Sequence, residues 1–269
     1  MTSRFVLTEK KDKIGYLILN RPEKLNALSN EFILEIIDTI QGLERDTEVR
    51  VIVIKARGRA FSAGGDLSEE DLDAFDAVKT AYEYKQLYKP WAAAGQVIRN
   101  LSKPTIVQVQ GYCLAGATDV FLHSDFILCA EDAQFGCPDV KGMEAPCSHI
   151  WTYLMGPQWA KYVLLTGDKI DGKTAERIGL AMKAVPLERL EAEVDELAHR
   201  IARIPVEFLE PNKSLVNKVM DNMGYLASQQ LALEASAFTH MAPAAEEFHR
   251  IRIEKGMKAA LAWRAEQYG

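Results

Sequence analysis

Apolar residues along the first half of the chain follow two alternating patterns, short unbroken runs and longer stretches with helical spacing. Ile14–Leu19 (IGYLIL) is an apolar run closed by Arg21-Pro22, which is how a strand ends, and Phe5–Thr8 is a candidate strand before it. Phe32, Ile33, Ile36, Ile37, Ile40 and Leu43 then recur on one helical face behind Ser29, whose hydroxyl suits a helix start, so a helix is expected over Ser29–Glu44. Val49–Lys55 (VRVIVIK) is β-branched and suits a strand buried on both faces, as parallel strands are. Strand, helix and strand make one βαβ unit.

The pattern then repeats. Gly58–Leu67 is a loop of small residues at a strand end, and Ser68 to about Leu101 is acidic and then aromatic, with Phe75, Tyr82, Tyr84, Tyr88 and Trp91 among charges, which predicts helices. Pro104 opens a strand over Thr105–Gln110 (TIVQVQ), which delivers the chain to Gly111. Ala115, Gly116 and Ala117 form a second small-residue loop ahead of a helical run, and a strand over Phe126–Cys129 leads to Phe135 and a Pro138-Asp139 turn. Beyond Asp139 the spacing is helical. Helices are expected over Ser148–Met155 and Pro157–Thr166, separated by Gly156-Pro157, and over Asp171–Ile178, Leu187–Arg203, Glu207–Tyr225, Ser228–Thr239 and Glu246–Glu266. This is an α/β chain, with a mixed core over 1–200 and a helical C-terminal part over 201–269.

Composition narrows the classes. A chain of 269 residues, 48% hydrophobic and 26% charged, is ordinary for a globular protein with a large core. The net charge of −6 and the lack of a dominant basic block argue against nucleic acid as a partner. Cys113, Cys129, Cys137 and Cys147 show no CxxC pair and no His at zinc spacing, so reduced and mostly buried thiols in a cytoplasmic protein are expected, with no metal. No uncharged run approaches the roughly 18 residues a membrane span needs, and MTSRFVLTEKKDK lacks the apolar centre of a leader.

Candidate chemistry gathers at the two small-residue loops. Ligands in open α/β folds bind outside the carboxyl ends of strands, where residues such as Gly65 and Gly116 leave backbone N–H groups open to an anion. Asp119 follows the second loop within a turn, and Asp139 arrives twenty positions later. Two acids near one anion site suit proton transfer beside a developing negative charge. For Asp119 the bland alternative is a helix-surface or capping acid; for Asp139 it is a Pro-Asp turn.

Taken together, Asn20-Arg21-Pro22 with Lys24-Leu25-Asn26-Ala27-Leu28, Ala60–Leu67 (AFSAGGDL), Gly111-Tyr112, Ser124-Asp125, Ala133-Gln134-Phe135 and Leu165-Thr166-Gly167 resemble the crotonase superfamily, the enoyl-CoA hydratase/isomerase family. The resemblance covers nearly the whole chain. It implies a crotonase (ClpP/crotonase-like) spiral of ββα units with C-terminal helices that mediate trimer contacts, in a homotrimer or a dimer of trimers. It also implies an acyl-CoA substrate, no separate cofactor beyond the coenzyme A of that thioester, and a thioester enolate held by the N–H groups of Gly65 and Gly116. Coenzyme A contacts would come from Lys24, Leu25 and Ala27 and from Ala63, Asp66 and Leu67.

Two features depart from the family pattern. Enoyl-CoA hydratases carry glutamates at the positions matching Asp119 and Asp139, whereas aspartate shortens the reach by roughly 1.5 Å, a misplacement that lowers rate about a hundredfold unless the backbone compensates. Aspartate at the first position is also similar to dienoyl-CoA isomerases. In addition, Val140–Trp151 (VKGMEAPCSHIW) stands where hydratases are glycine-rich. Glu144 there is either a solvated loop carboxylate or a third acid of the acyl pocket, and His149 and Cys147 read as a helix-start histidine and a buried thiol. Trp151, Tyr153 and Trp159 read as core or trimer-contact residues. The resemblance therefore implies hydration of a 2-enoyl-CoA through Asp119 and Asp139. Enoyl-CoA isomerisation, acyl-CoA hydrolysis and non-catalytic acyl-CoA binding are its alternatives.

Overall fold

The computed structural model describes residues 5–67 and 77–269. The acidic start of the aromatic stretch, residues 68–76, lies outside them. A hairpin, β1 (Val6–Lys11) and β2 (Ile14–Leu19), opens a sheet continued by β3 (Val51–Ala56), β4 (Thr105–Val109), β6 (Phe126–Ala130) and β9 (Lys183–Val185), in that spatial order. Every pair after the hairpin is parallel. All six residues of β2 are buried, as its unbroken apolar run predicts for a strand covered on both faces. A smaller sheet orders β5 (Tyr112–Leu114), β7 (Gln134–Gly136) and β8 (Ile170–Asp171).

Helix α1 (Asn30–Arg45) is capped by Ser29, whose Oγ accepts from the Phe32 N–H at 3.1 Å, and it buries Phe32, Ile33, Ile36, Ile40 and Leu43 against the sheet. Helix α2 (Ala81–Asn100), capped by Thr80, packs on α1 and on the short α3 (Gly116–Phe121). Then come α4 (Trp151–Thr166), α5 (Gly172–Ile178), α6 (Leu187–Ala202), α7 (Val206–Asn222), α8 (Tyr225–His240), α9 (Pro243–Lys255) and α10 (Met257–Tyr268). Among the described residues no helix is long and apolar enough to cross a membrane.

Four boundaries differ from expectation. Helix α4 begins at Trp151 rather than Ser148, because the Ser148 hydroxyl and the His149 N–H are both engaged by Gln229 Oε1. The break expected at Gly156-Pro157 is a kink inside α4, with Gly156 at φ 75°. The single helix expected over Glu246–Glu266 is two, because Gly256 adopts φ 84°, ψ 164° between α9 and α10. That break folds the chain's end back, so Phe248, Ile251 and Ala260 cluster with Met143. Helix α7 stops at Asn222, before a left-handed Gly224.

Candidate active site

The two small-residue loops meet because the strands that precede them are neighbours. The Ser62 N–H donates to the Tyr112 carbonyl at 2.7 Å and the Leu114 N–H donates back to Ser62 at 3.2 Å, a parallel bridge that zips one loop to the other. Contact is close enough that a Cβ on Gly64 would stand 2.7 Å from the Ala115 Cβ. Ala115 itself is held at φ 51°, ψ −130°, outside the regions that L-residues favour. Its N–H donates to Gly136, and its carbonyl accepts from the Thr118 N–H and hydroxyl, which together fix the peptide leading into Gly116. Among the described residues the N–H groups of Gly65 and Gly116 meet no protein acceptor. Both glycines face one indole: a Cβ on Gly65 would lie 3.9 Å from Trp91 Cη2, and one on Gly116 only 2.5 Å from Trp91 Cζ3. Trp91 is held in turn by a 2.7 Å bond from its Nε1 to Asn30 Oδ1.

These loops form one wall of a cavity of about 310 Å³. Asp119, Asp139 and Glu144 all line it, with Leu87, Tyr88 and Trp91 from α2 and Phe248, Met257, Leu261 and Arg264 from the folded-back C-terminal helices. Asp119 is 5% exposed; its Oδ2 accepts from the Cys147 N–H at 3.3 Å and from the thiol at 3.4 Å, while its buried Oδ1 has no partner among the described residues. Burial pushes its pKa up to about 7, the two Cys147 bonds opposing and the Asp139 charge adding. Asp139 sits in the turn Pro138–Val140 with the Arg264 guanidinium 3.9 Å away; burial raises it to about 6 against that positive charge. Glu144 receives the Tyr84 hydroxyl at 2.6 Å and the Tyr88 hydroxyl at 3.1 Å, and burial, reinforced by Asp139, raises it to about 8 although both hydroxyl bonds oppose.

Three coupled acids with raised proton affinities can hold and exchange protons near neutrality. Between the ordinary carboxylate range and about pH 8 the folded chain therefore binds more protons than the unfolded chain, so these groups make stability fall as pH rises. Buried His123, lowered to about 4, acts in the opposite sense, but only below its ordinary value of 6.5. The urea midpoint is expected to drop between about pH 6.5 and pH 8.5, and to drop less in Glu144→Gln. A midpoint that rises across that window contradicts the assignment.

The structure treats the expected site residues differently. Gly65, Gly116, Asp119, Asp139, Ala63, Asp66, Leu67 and Glu144 line the cavity; Lys24, Leu25 and Ala27 are not among its lining residues and instead back the loop that is. The Leu25 carbonyl accepts from Ala63 N–H, the Ala27 carbonyl accepts from Arg21, and Lys24 Nζ stands 3.6 Å from the Asp66 carboxylate. Arg21 also pairs with Asp66, so that carboxylate is committed within the protein. Glu144 is not a solvated loop carboxylate: its side chain is 12% exposed, enclosed by Tyr84 and Tyr88. Cys147 is the buried thiol expected, but its contact with Asp119 has no sequence signal. Tyr84, Tyr88 and Trp91 do have one, since their spacing puts them on one face of α2. Arg264 arrives from the far end of the chain, with nothing local to mark it.

A family model described as enoyl-CoA hydratase/isomerase matches residues 9–266. This chain belongs to the enoyl-CoA hydratase/isomerase family. It is 30% identical to the probable enoyl-CoA hydratase echA8 of Mycobacterium bovis, over 100% of this chain and 99% of that one. It is 31% identical to a crotonyl-CoA hydratase of Syntrophomonas wolfei, over 87% and 88% of the respective chains. The crystal structure of an enoyl-CoA hydratase/isomerase from Xanthobacter autotrophicus Py2 superposes with a TM-score of 0.94 at 29% identity, covering 100% of both chains. The fold is that of the crotonase superfamily, with its helical C-terminal region.

Proposed function

We propose that this protein adds water across the double bond of a 2-enoyl-CoA. The observation that carries the reading is that Asp119 and Asp139 line the same cavity as Gly65 and Gly116, whose N–H groups meet no protein acceptor among the described residues. The thioester oxygen takes up those two N–H groups, which stabilise the negative charge that grows there as the β-carbon is attacked. Between their two values, about 6 and about 7, the acid pair holds close to one proton, with Asp139 the more ionised partner. Asp139 takes a proton from water as its oxygen bonds to the β-carbon, and Asp119 gives its proton to the α-carbon as the enolate collapses. Exchange between the two acids restores the pair, so the net change is one water added. No further cofactor enters this scheme.

Glu144 favours a second reading. A third carboxyl in the same cavity, coupled to Asp139, suits a proton moved along the acyl chain, which is double-bond isomerisation. Product mass separates the outcomes, since hydration adds one water, isomerisation adds nothing and thioester hydrolysis splits the substrate. Loss of the conjugated enone absorbance across a panel of enoyl-CoA thioesters is the primary assay. Absence of turnover with every member, in protein that binds coenzyme A, sinks the catalytic readings and leaves an acyl-CoA binder.

The assembly read with this function is a trimer or a dimer of trimers. Leu215, Val216 and Val219 on α7 and Met223 just after it expose at least 60% of their surface, an apolar stripe of the sort that subunit contacts cover. Sedimentation of the purified protein tests it, and a monomer at micromolar concentration rejects it.

A further inference from the structure

Cys147 lies outside the acid pair yet contacts Asp119 Oδ2 twice, through its N–H at 3.3 Å and its Sγ at 3.4 Å. We infer that Cys147 is a positioning residue, which fixes the Asp119 carboxyl at the cavity wall. This inference rests on the hydration reading, in which Asp119 is the acid that gives up the proton.

The choice of a thiol has a physical reason. Cys147 is 2% exposed and Asp119 5%, so an apolar side chain at position 147 would leave the Asp119 carboxyl with only the Cys147 and Ser148 N–H groups in a buried setting, where an unmade bond to a carboxylate is expensive. A hydroxyl would donate a shorter, stronger bond and pull the acid further toward the ionised form. The thiol is a weak donor between those limits. It remains a donor because burial, with Asp119, Glu144 and Cys137 adding, pushes its pKa well above the ordinary thiol value. The anchor is stiff, since the chain reaches Cys147 through Pro146, and the Ser148 hydroxyl is tied to Gln229 on α8 at 2.7 Å.

The leading titratable influences on Asp119 come from the 137–148 segment, where Asp139 raises its proton affinity, Cys147 opposes, and Cys137 and Glu144 feel its charge; Tyr88, His249, Arg252 and Arg264 line the same cavity. Helix α2, packed on the other side of α3, presents Gly95 to the Asp119 carbonyl and Trp91 to Gly116, neither of them charged. The thiol is the leading side-chain influence that lowers the Asp119 pKa, with the Cys147 and Ser148 N–H groups acting in the same direction.

The test compares wild type, Cys147→Ala, Cys147→Ser and Asp119→Asn. Infrared difference titration follows the carboxyl band that Asp119→Asn removes. In Cys147→Ala its midpoint is expected to move up by about one pH unit, and in Cys147→Ser to stay or move down. The alkaline limb of kcat/KM should shift in the same directions, and Cys147→Ala should add no further loss of rate to Asp119→Asn. An unmoved carboxyl midpoint in Cys147→Ala overturns the inference, as does an equal loss of rate in the wild-type and Asp119→Asn backgrounds. The infrared titration needs no turnover, so it decides on Cys147 even if the hydration reading itself fails.

Discussion

Alanine at position 116 is expected to lower enoyl-CoA turnover about a hundredfold to a thousandfold, the range seen when one donor to a developing oxyanion is lost. The added Cβ would stand 2.5 Å from Trp91 Cζ3 and 3.0 Å from Cε3, closer than real side chains approach. Trp91 cannot swing away freely, being 7% exposed and bonded through Nε1 to Asn30. The 114–116 loop must therefore move instead, and the Gly116 N–H moves with it. A companion variant separates packing from chemistry. Trp91→Leu placed on Gly116→Ala removes that clash, so rate and thermal midpoint should return together. If the midpoint returns and the rate stays low, displacement of the Gly116 N–H by Trp91 is not the cause of the loss.

Asp119→Asn and Asp139→Asn are each expected to reduce kcat by about a hundredfold to ten-thousandfold, the usual range for a positioned acid or base. The double variant should be little worse than the poorer single one, because both residues serve one proton-transfer event. At neutral pH and above, Asp119→Asn should also raise stability, since it replaces a buried acid whose ionised form is disfavoured, with a pKa near 7. Loss of rate with gain of stability is the combination that a merely structural carboxylate would not produce. Steady-state kinetics with paired urea titrations read both. Retention of rate within about tenfold in either single variant would remove that residue from the mechanism.

Periodicity and local chemistry carry far in this chain. The Ser29 cap, the β2 run, the kink at Gly156 and the aromatic face of α2 follow from interactions among residues a few positions apart, and such interactions are written directly in the order of residues. The landmark motifs identify the family for the same reason, since the loops among them follow backbone paths that tolerate few residue types. Gly256 shows the limit of that reasoning. The apolar spacing on either side of it is continuous enough to predict one helix, and only the fold-back onto Met143 makes two shorter helices the better burial.

The sequence by itself determined the α/β fold class, the two small-residue loops at strand ends, and the acids at positions 119 and 139. Tertiary structure alone decided what those acids experience. Asp119 is raised because burial and the Asp139 charge outweigh the Cys147 bonds that oppose them, and Glu144 is buried because two tyrosines from α2 close over it. Arg264 reaches Asp139 only because the C-terminal helices fold back over the site. The physical reason is range. Backbone conformation answers to neighbours along the chain, whereas desolvation and charge coupling answer to neighbours in space, and the walls of this cavity come from segments at opposite ends of the polypeptide.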